Sequence, residues 1–62
     1  MSNSYVIFAG NSKDSLEPIK AVATEDAAVK EALLETKYRC IEVIFMPEDN
    51  PDINKIVYSQ YK

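Results

Sequence analysis

The pattern of apolar and polar positions along the chain predicts four strands and one helix. Residues 4–9 are β-branched or aromatic and stop at the only glycine, Gly10, which is typical of a strand buried on both faces or nearly so. Turn formers occupy 10–15, and after Pro18 the segment 19–23 predicts a second, weaker strand. The two segments and their polar connection predict a hairpin with a long loop.

Thr24 marks the predicted start of the helix, because its hydroxyl can cap the first turn. Glu25 and Asp26 place negative charge at the positive end of the helix dipole. Residues 27 to about 37 contain good helix formers without Gly or Pro. Helical spacing predicts a core stripe flanked by Ala28 and made of Val29, Ala32, Leu33 and Thr36.

Two further strands are predicted after the helix, at 38–46 and at 53–61, separated by a turn with two prolines. In the last strand, alternation sets Ile56, Tyr58 and Gln60 opposite Val57, Ser59 and Tyr61. The sequence therefore predicts one α+β domain over residues 1–62, with ββαββ order. Its four-stranded sheet consists of two hairpins and carries the helix on one face.

The third strand has two apolar faces, although one helix covers only one face of a sheet. Ile41, Val43 and Phe45 form the face assigned to the helix. On the opposite face, Cys40, Ile44 and Met46 would lie in water if nothing covered them. Leu34 likewise lies on the polar side of the predicted helix. We expect these positions, with tyrosines of the last strand, to contact a partner; the predicted interface residues are Cys40, Glu42, Ile44, Met46, Tyr58, Tyr61 and Leu34.

The length of 62 residues supports that expectation. A chain of this size buries only about 60% of its unfolded surface, so small domains add disulfides, metals or a partner subunit. One Cys excludes an internal disulfide, and the absence of His disfavours a structural metal. A homodimer is therefore expected, while an ideally packed monomer stays the alternative.

Composition also restricts the chemistry that the chain can perform. With no His, one Cys and one Gly, a zinc site, a Ser-His-Asp triad and a phosphate-cradling glycine loop are not expected. Cys40 could act as a nucleophile only if Arg39 lowered its pKa, but adjacent strand residues point to opposite faces. We therefore expect no enzyme, no cofactor, and no catalytic or metal residues; a buried or interface thiol fits a reducing cytoplasm.

Charge argues against a nucleic acid as the partner, and the lack of a long apolar run argues against a membrane. Seven basic against ten acidic residues give a net charge of −3, and the basic ones are scattered. No apolar run approaches the roughly 18 residues of a membrane helix, and the first ten residues lack the basic region of a signal peptide. The prolyl turn predicts either an ordinary solvated loop or an acidic binding patch made of Glu48, Asp49 and Asp52.

In size and layout over the whole chain, though by no shared motif, this compact, acidic, single-Cys chain with two hairpins around residues 10–59 resembles small phage-encoded accessory proteins. The resemblance implies a protein in the host cytoplasm that inhibits a defence system by binding a defence protein or its nucleotide signal. We therefore predict a dimeric binding module that blocks a larger protein. The alternatives are a protein that sequesters a nucleotide or small ligand, and a structural or regulatory subunit of a larger assembly.

Overall fold

In a computed structural model that describes residues 4–47, 50 and 52–62, the chain forms four strands, one α-helix and one short 3-10 turn. The helix lies between two strand pairs along the chain, as the sequence predicts. In chain order the elements are β1 (Tyr5–Gly10), the 3-10 turn (Lys13–Ser15), β2 (Glu17–Val22), α1 (Glu25–Leu34), β3 (Cys40–Phe45) and β4 (Lys55–Tyr61).

The four strands form a single antiparallel sheet in the order β2-β1-β3-β4. Each hairpin contributes one central and one edge strand, and β1 pairs with β3 in a register that joins Tyr5 to Phe45 and Gly10 to Cys40. The predicted α+β fold with ββαββ order is therefore confirmed.

The helix covers one side of this sheet, which we call the helix face. It packs on β1, β2 and β3. Strand alternation places one set of β1 and β3 side chains under the helix, because paired residues share a face. The buried core consists of Ile7, Ala9, Ile41 and Val43 from the sheet, with Ala28 and Ala32 from α1.

The start of α1 is as predicted, whereas its end is not and its buried stripe agrees only in part. Thr24 Oγ1 accepts a hydrogen bond from the Ala27 N–H at 3.2 Å, but the helix ends at Leu34 rather than near residue 37. Leu33, predicted as core, is 60% exposed. Ala32 of the predicted stripe and the flanking Ala28 are the residues that face the sheet, and their small side chains let the helix axis approach it closely.

Both edge strands carry an extra residue that interrupts their pairing. In β2 the register passes from Lys20 to Pro18 opposite consecutive residues of β1, and in β4 it passes from Tyr58 to Ile56 opposite β3. Ile19 and Val57 are therefore the bulged residues. A bulge twists an edge strand, and Pro18 in addition removes an N–H donor from β2.

Candidate functional site: the open face of the sheet

The side of the sheet opposite the helix, which we call the open face, carries a continuous row of apolar side chains. Val6 is paired with Ala21 on one side and with Ile44 on the other, and Ile44 is paired with Ile56. The row therefore crosses all four strands. The open-face side chains of the three strands β1, β3 and β4 are Val6, Phe8, Cys40, Glu42, Ile44, Ile56, Ser59 and Tyr61.

Part of this apolar surface is accessible. Ile56 is 53% exposed and Tyr61 43% exposed, and Val6, Phe8 and Ile44 are half-buried between their neighbours. Within the described residues, the 3-10 turn is the one helical element beside this face, since α1 packs on the other side. Val6, Phe8 and Ile56 were not among the predicted interface residues, because their place on this face depends on strand order and register.

The 3-10 turn covers the end of the open face where β1 stops. Gly10 points to this face, and a Cβ added to it would overlap the backbone carbonyl of Ser15. The absence of a side chain at Gly10 thus lets the turn fold back onto the sheet. Cys40, the strand partner of Gly10, is only 7% exposed, so this predicted interface residue is already covered by its own chain.

A polar cluster lies next to that turn. The Tyr61 hydroxyl donates a hydrogen bond to Glu42 Oε2, and the Lys13 Nζ lies 4.4 Å from the centroid of the Tyr61 ring. The hydrogen bond to the Glu42 carboxylate is the main cause that raises the pKa of Tyr61 above its ordinary value of 10.0. Glu42 therefore has a hydrogen-bond donor from its own chain, and the Lys13 amino group lies over the ring of that donor.

Glu42 is the one charged side chain that the strands place on the open face within the described residues. The other charged strand residues lie on the helix face, since Glu17 pairs with Ala9, Lys20 with Ile7 and Lys55 with Phe45. Lys20 also forms a 2.9 Å salt bridge with Glu31 of α1. The open face is thus the less charged side of the sheet, although α1 packs on the other side.

Three other predicted interface residues lie at different places. Tyr58 is paired with Val43 on the helix face, where it contacts the core and donates a hydrogen bond to Gln60 Oε1 at 2.8 Å. Leu34 is 77% exposed at the end of α1. Met46 follows β3, is half-buried, and its N–H donates to the Ser4 carbonyl at 2.8 Å. The predicted interface therefore contains residues that lie on the helix, on the helix face of the sheet and after β3, as well as residues of the open face.

The faces of β4 differ from those predicted because of its bulge. Simple alternation set Ile56 together with Tyr58, whereas the extra residue at Val57 separates them. Ile56 instead shares the open face with Tyr61. Alternation fails wherever two residues on one strand oppose one residue on its neighbour.

The predicted acidic patch falls mainly outside the described residues. Glu48 and Asp49 lie outside them, and Asp52 is exposed. In the described part of the chain, no three His, Cys, Asp or Glu residues are grouped so that they could hold a metal ion. Within the same residues, no helix is long and apolar enough to cross a membrane.

A pocket of about 170 Å³ opens on the helix side of the molecule, between α1 and β2. Ile7 and Ile19 supply apolar lining, and two lysines face two glutamates, one pair of which forms the Lys20–Glu31 salt bridge. Ligand pockets usually enclose about 300 Å³ or more, and a nucleotide phosphate requires excess positive charge. The polar lining of this pocket is made of Lys20, Glu31, Glu35, Lys37 and Tyr38.

Comparison with protein-family models, with curated proteins and with solved structures found no match for this chain.

Proposed function

We propose that the protein is a small non-enzymatic binding module that attaches to a larger protein through the open face of its sheet and blocks it. The observation that carries the proposal is the apolar row from Ala21 to Ile56 across the face of the sheet opposite α1. An exposed contiguous apolar patch on a small protein is typical of an interaction site. The resemblance in size and layout to phage inhibitors suggests a host defence protein as the target.

The composition of the face suits a protein surface better than a small ligand. Apolar side chains form its centre, while Tyr61 and Glu42 lie towards one end, and this arrangement of an apolar core beside polar groups is that of protein interfaces. The pocket between α1 and β2 is small and has balanced charges, so a nucleotide is the weaker alternative.

The test is a comparative capture experiment from a lysate of the cells in which the protein acts. Ile56 is more than half exposed, so Ile56→Lys adds a charge to the open face at little expected cost to the fold. Leu34→Lys is the matched control, because it makes the same kind of change on the helix. We expect a target that the wild type and Leu34→Lys retain and that Ile56→Lys loses.

A second comparison separates binding from inhibition. The captured protein is purified, and its activity is measured with wild type and with each variant. Inhibition by the wild type and by Leu34→Lys, with at least about tenfold weaker inhibition by Ile56→Lys, agrees with the proposal. If Leu34→Lys abolished binding and Ile56→Lys did not, the proposed surface would be wrong.

A further inference from the structure

The open face has about the area that a stable subunit interface needs. Four strands of mostly six residues cover roughly 19 Å by 20 Å, at about 4.8 Å between strands and 3.3 Å per residue. Two such faces in contact cover about 760 Å² as flat areas, and side-chain relief brings the area removed from water to on the order of 1,000 Å². Specific interfaces begin at about 1,000–1,200 Å² in total.

The charge distribution permits a second copy to approach across this face. The chain carries a net charge of −3, so two copies repel each other in general. The strands contribute one carboxylate to the open face, Glu42, and it accepts a hydrogen bond from Tyr61 beside the Lys13 amino group. The strands therefore bring little of the net negative charge to the open face, and this charge does not prevent a second copy from lying against it.

The edge strands of the sheet are poorly suited to joining two copies of the chain. Pairing of edge strands would extend the sheet and leave the open face in water, but both edges are bulged. The bulge at Val57 changes which face each residue of β4 occupies, so pairing of the whole of β4 with a second β4 would set open-face residues opposite helix-face residues. Pro18 interrupts the hydrogen-bonding edge of β2.

We infer that, when no target is bound, a second copy of the chain occupies the open face, so that two sheets stack face to face with both helices outside. The inference rests on the proposed function, since it names the resting occupant of the same surface. The two-fold contact brings the apolar row of one copy onto that of the other, and Ile44 lies at its centre between Val6 and Ile56. Target binding must then displace one copy.

Sedimentation equilibrium of wild type, Ile56→Lys and Leu34→Lys tests the dimer. We expect the wild type and Leu34→Lys to show twice the 7.0 kDa mass of the chain, and Ile56→Lys to raise the dimer dissociation constant at least about tenfold. Circular dichroism checks that each variant keeps its secondary structure. A wild type that stays at 7.0 kDa up to high micromolar concentration would overturn the inference, as would an equal effect of both substitutions.

Isotope-filtered NOE measurements on a mixture of labelled and unlabelled wild type locate the contact without any substitution. Intermolecular NOEs between the side chains of Val6, Ile44 and Ile56 are expected. Intermolecular NOEs confined to the β4 backbone would indicate edge pairing and contradict the inference. A monomer that still captures a target by this face would refute the dimer alone, whereas a normal dimer with no target would refute the proposed function alone.

Discussion

Tyr61 on the edge strand β4 contacts both the central strand β3 and the 3-10 turn. Its hydroxyl donates to Glu42 on β3, and its ring lies under the Lys13 amino group of the 3-10 turn. A carboxylate that accepts this hydrogen bond stabilises the protonated phenol and would repel the phenolate. The hydrogen bond to Glu42, then desolvation, and then repulsion by the Glu42 charge raise the pKa of Tyr61 above 10.0.

The raised pKa predicts a pH dependence at the alkaline end. The folded protein favours protonated Tyr61, so the stabilising contribution of this group is fully present below pH 10.0 and is lost as the pH rises through the raised pKa. Glu42→Ala should lower the pKa of Tyr61 towards 10.0, as measured by an NMR titration of its ring carbons. Glu31→Ala, which removes a carboxylate from the helix, is the control and should leave the pKa of Tyr61 unchanged.

At the scale of elements, the contact between α1 and the sheet depends on small side chains. Ala28 and Ala32 are fully buried, whereas the large Leu33 and Leu34 face solvent. The sheet supplies the bulk of the core through Ile7, Ile41 and Val43. The helix therefore adds little apolar volume to the core, and its small side chains instead allow α1 to pack close to the sheet.

Two substitutions one residue apart should differ strongly in their effect. Ala32→Leu forces a large side chain between α1 and the sheet and should lower the free energy of unfolding by about 1–3 kcal/mol. Leu33→Ala removes a side chain that is 60% exposed, so the change should stay within about 0.5 kcal/mol. Urea denaturation measures both. A loss of several kcal/mol in Leu33→Ala would restore the helix orientation that the periodicity predicts.

At the scale of the whole molecule, the one cluster of buried residues in the described part of the chain lies on the helix face, while Cys40 is buried singly on the open face under the 3-10 turn. The three largest fully buried side chains come from the two central strands. A single small core implies cooperative unfolding, because no second cluster of buried residues in the described part of the chain can hold a part of the fold alone.

Ile41→Ala should therefore destabilise every element at once. The loss of a fully buried Ile costs about 2–5 kcal/mol, which is comparable to the roughly 3–5 kcal/mol that the core of so small a domain supplies. We expect amide dispersion in NMR spectra to collapse for β4 as well as for β1 and β3. Ile56→Ala, a truncation on the open face, is the control and should keep the dispersed spectrum; loss confined to residues around Ile41 would contradict a single cooperative core.

The sequence by itself determined the elements and their order, because those depend on local preferences. Alternating β-branched residues specify strands, and the Thr24 cap followed by acidic residues specifies where α1 begins. It also identified a second apolar face on β3, since too many apolar residues alternate there for one helix to cover.

Only the tertiary structure decided which residues share that face. The strand order brings Val6 and Phe8 onto the same face as Ile44, and the bulge at Val57 places Tyr58 on the helix face. Neither the strand order nor the bulge has a local signal in the sequence. The alanine stripe of α1 likewise follows from how closely a helix can approach the sheet rather than from hydrophobic periodicity. Each of these choices is set by packing between segments distant in the chain, where residues that look equivalent in sequence meet different neighbours.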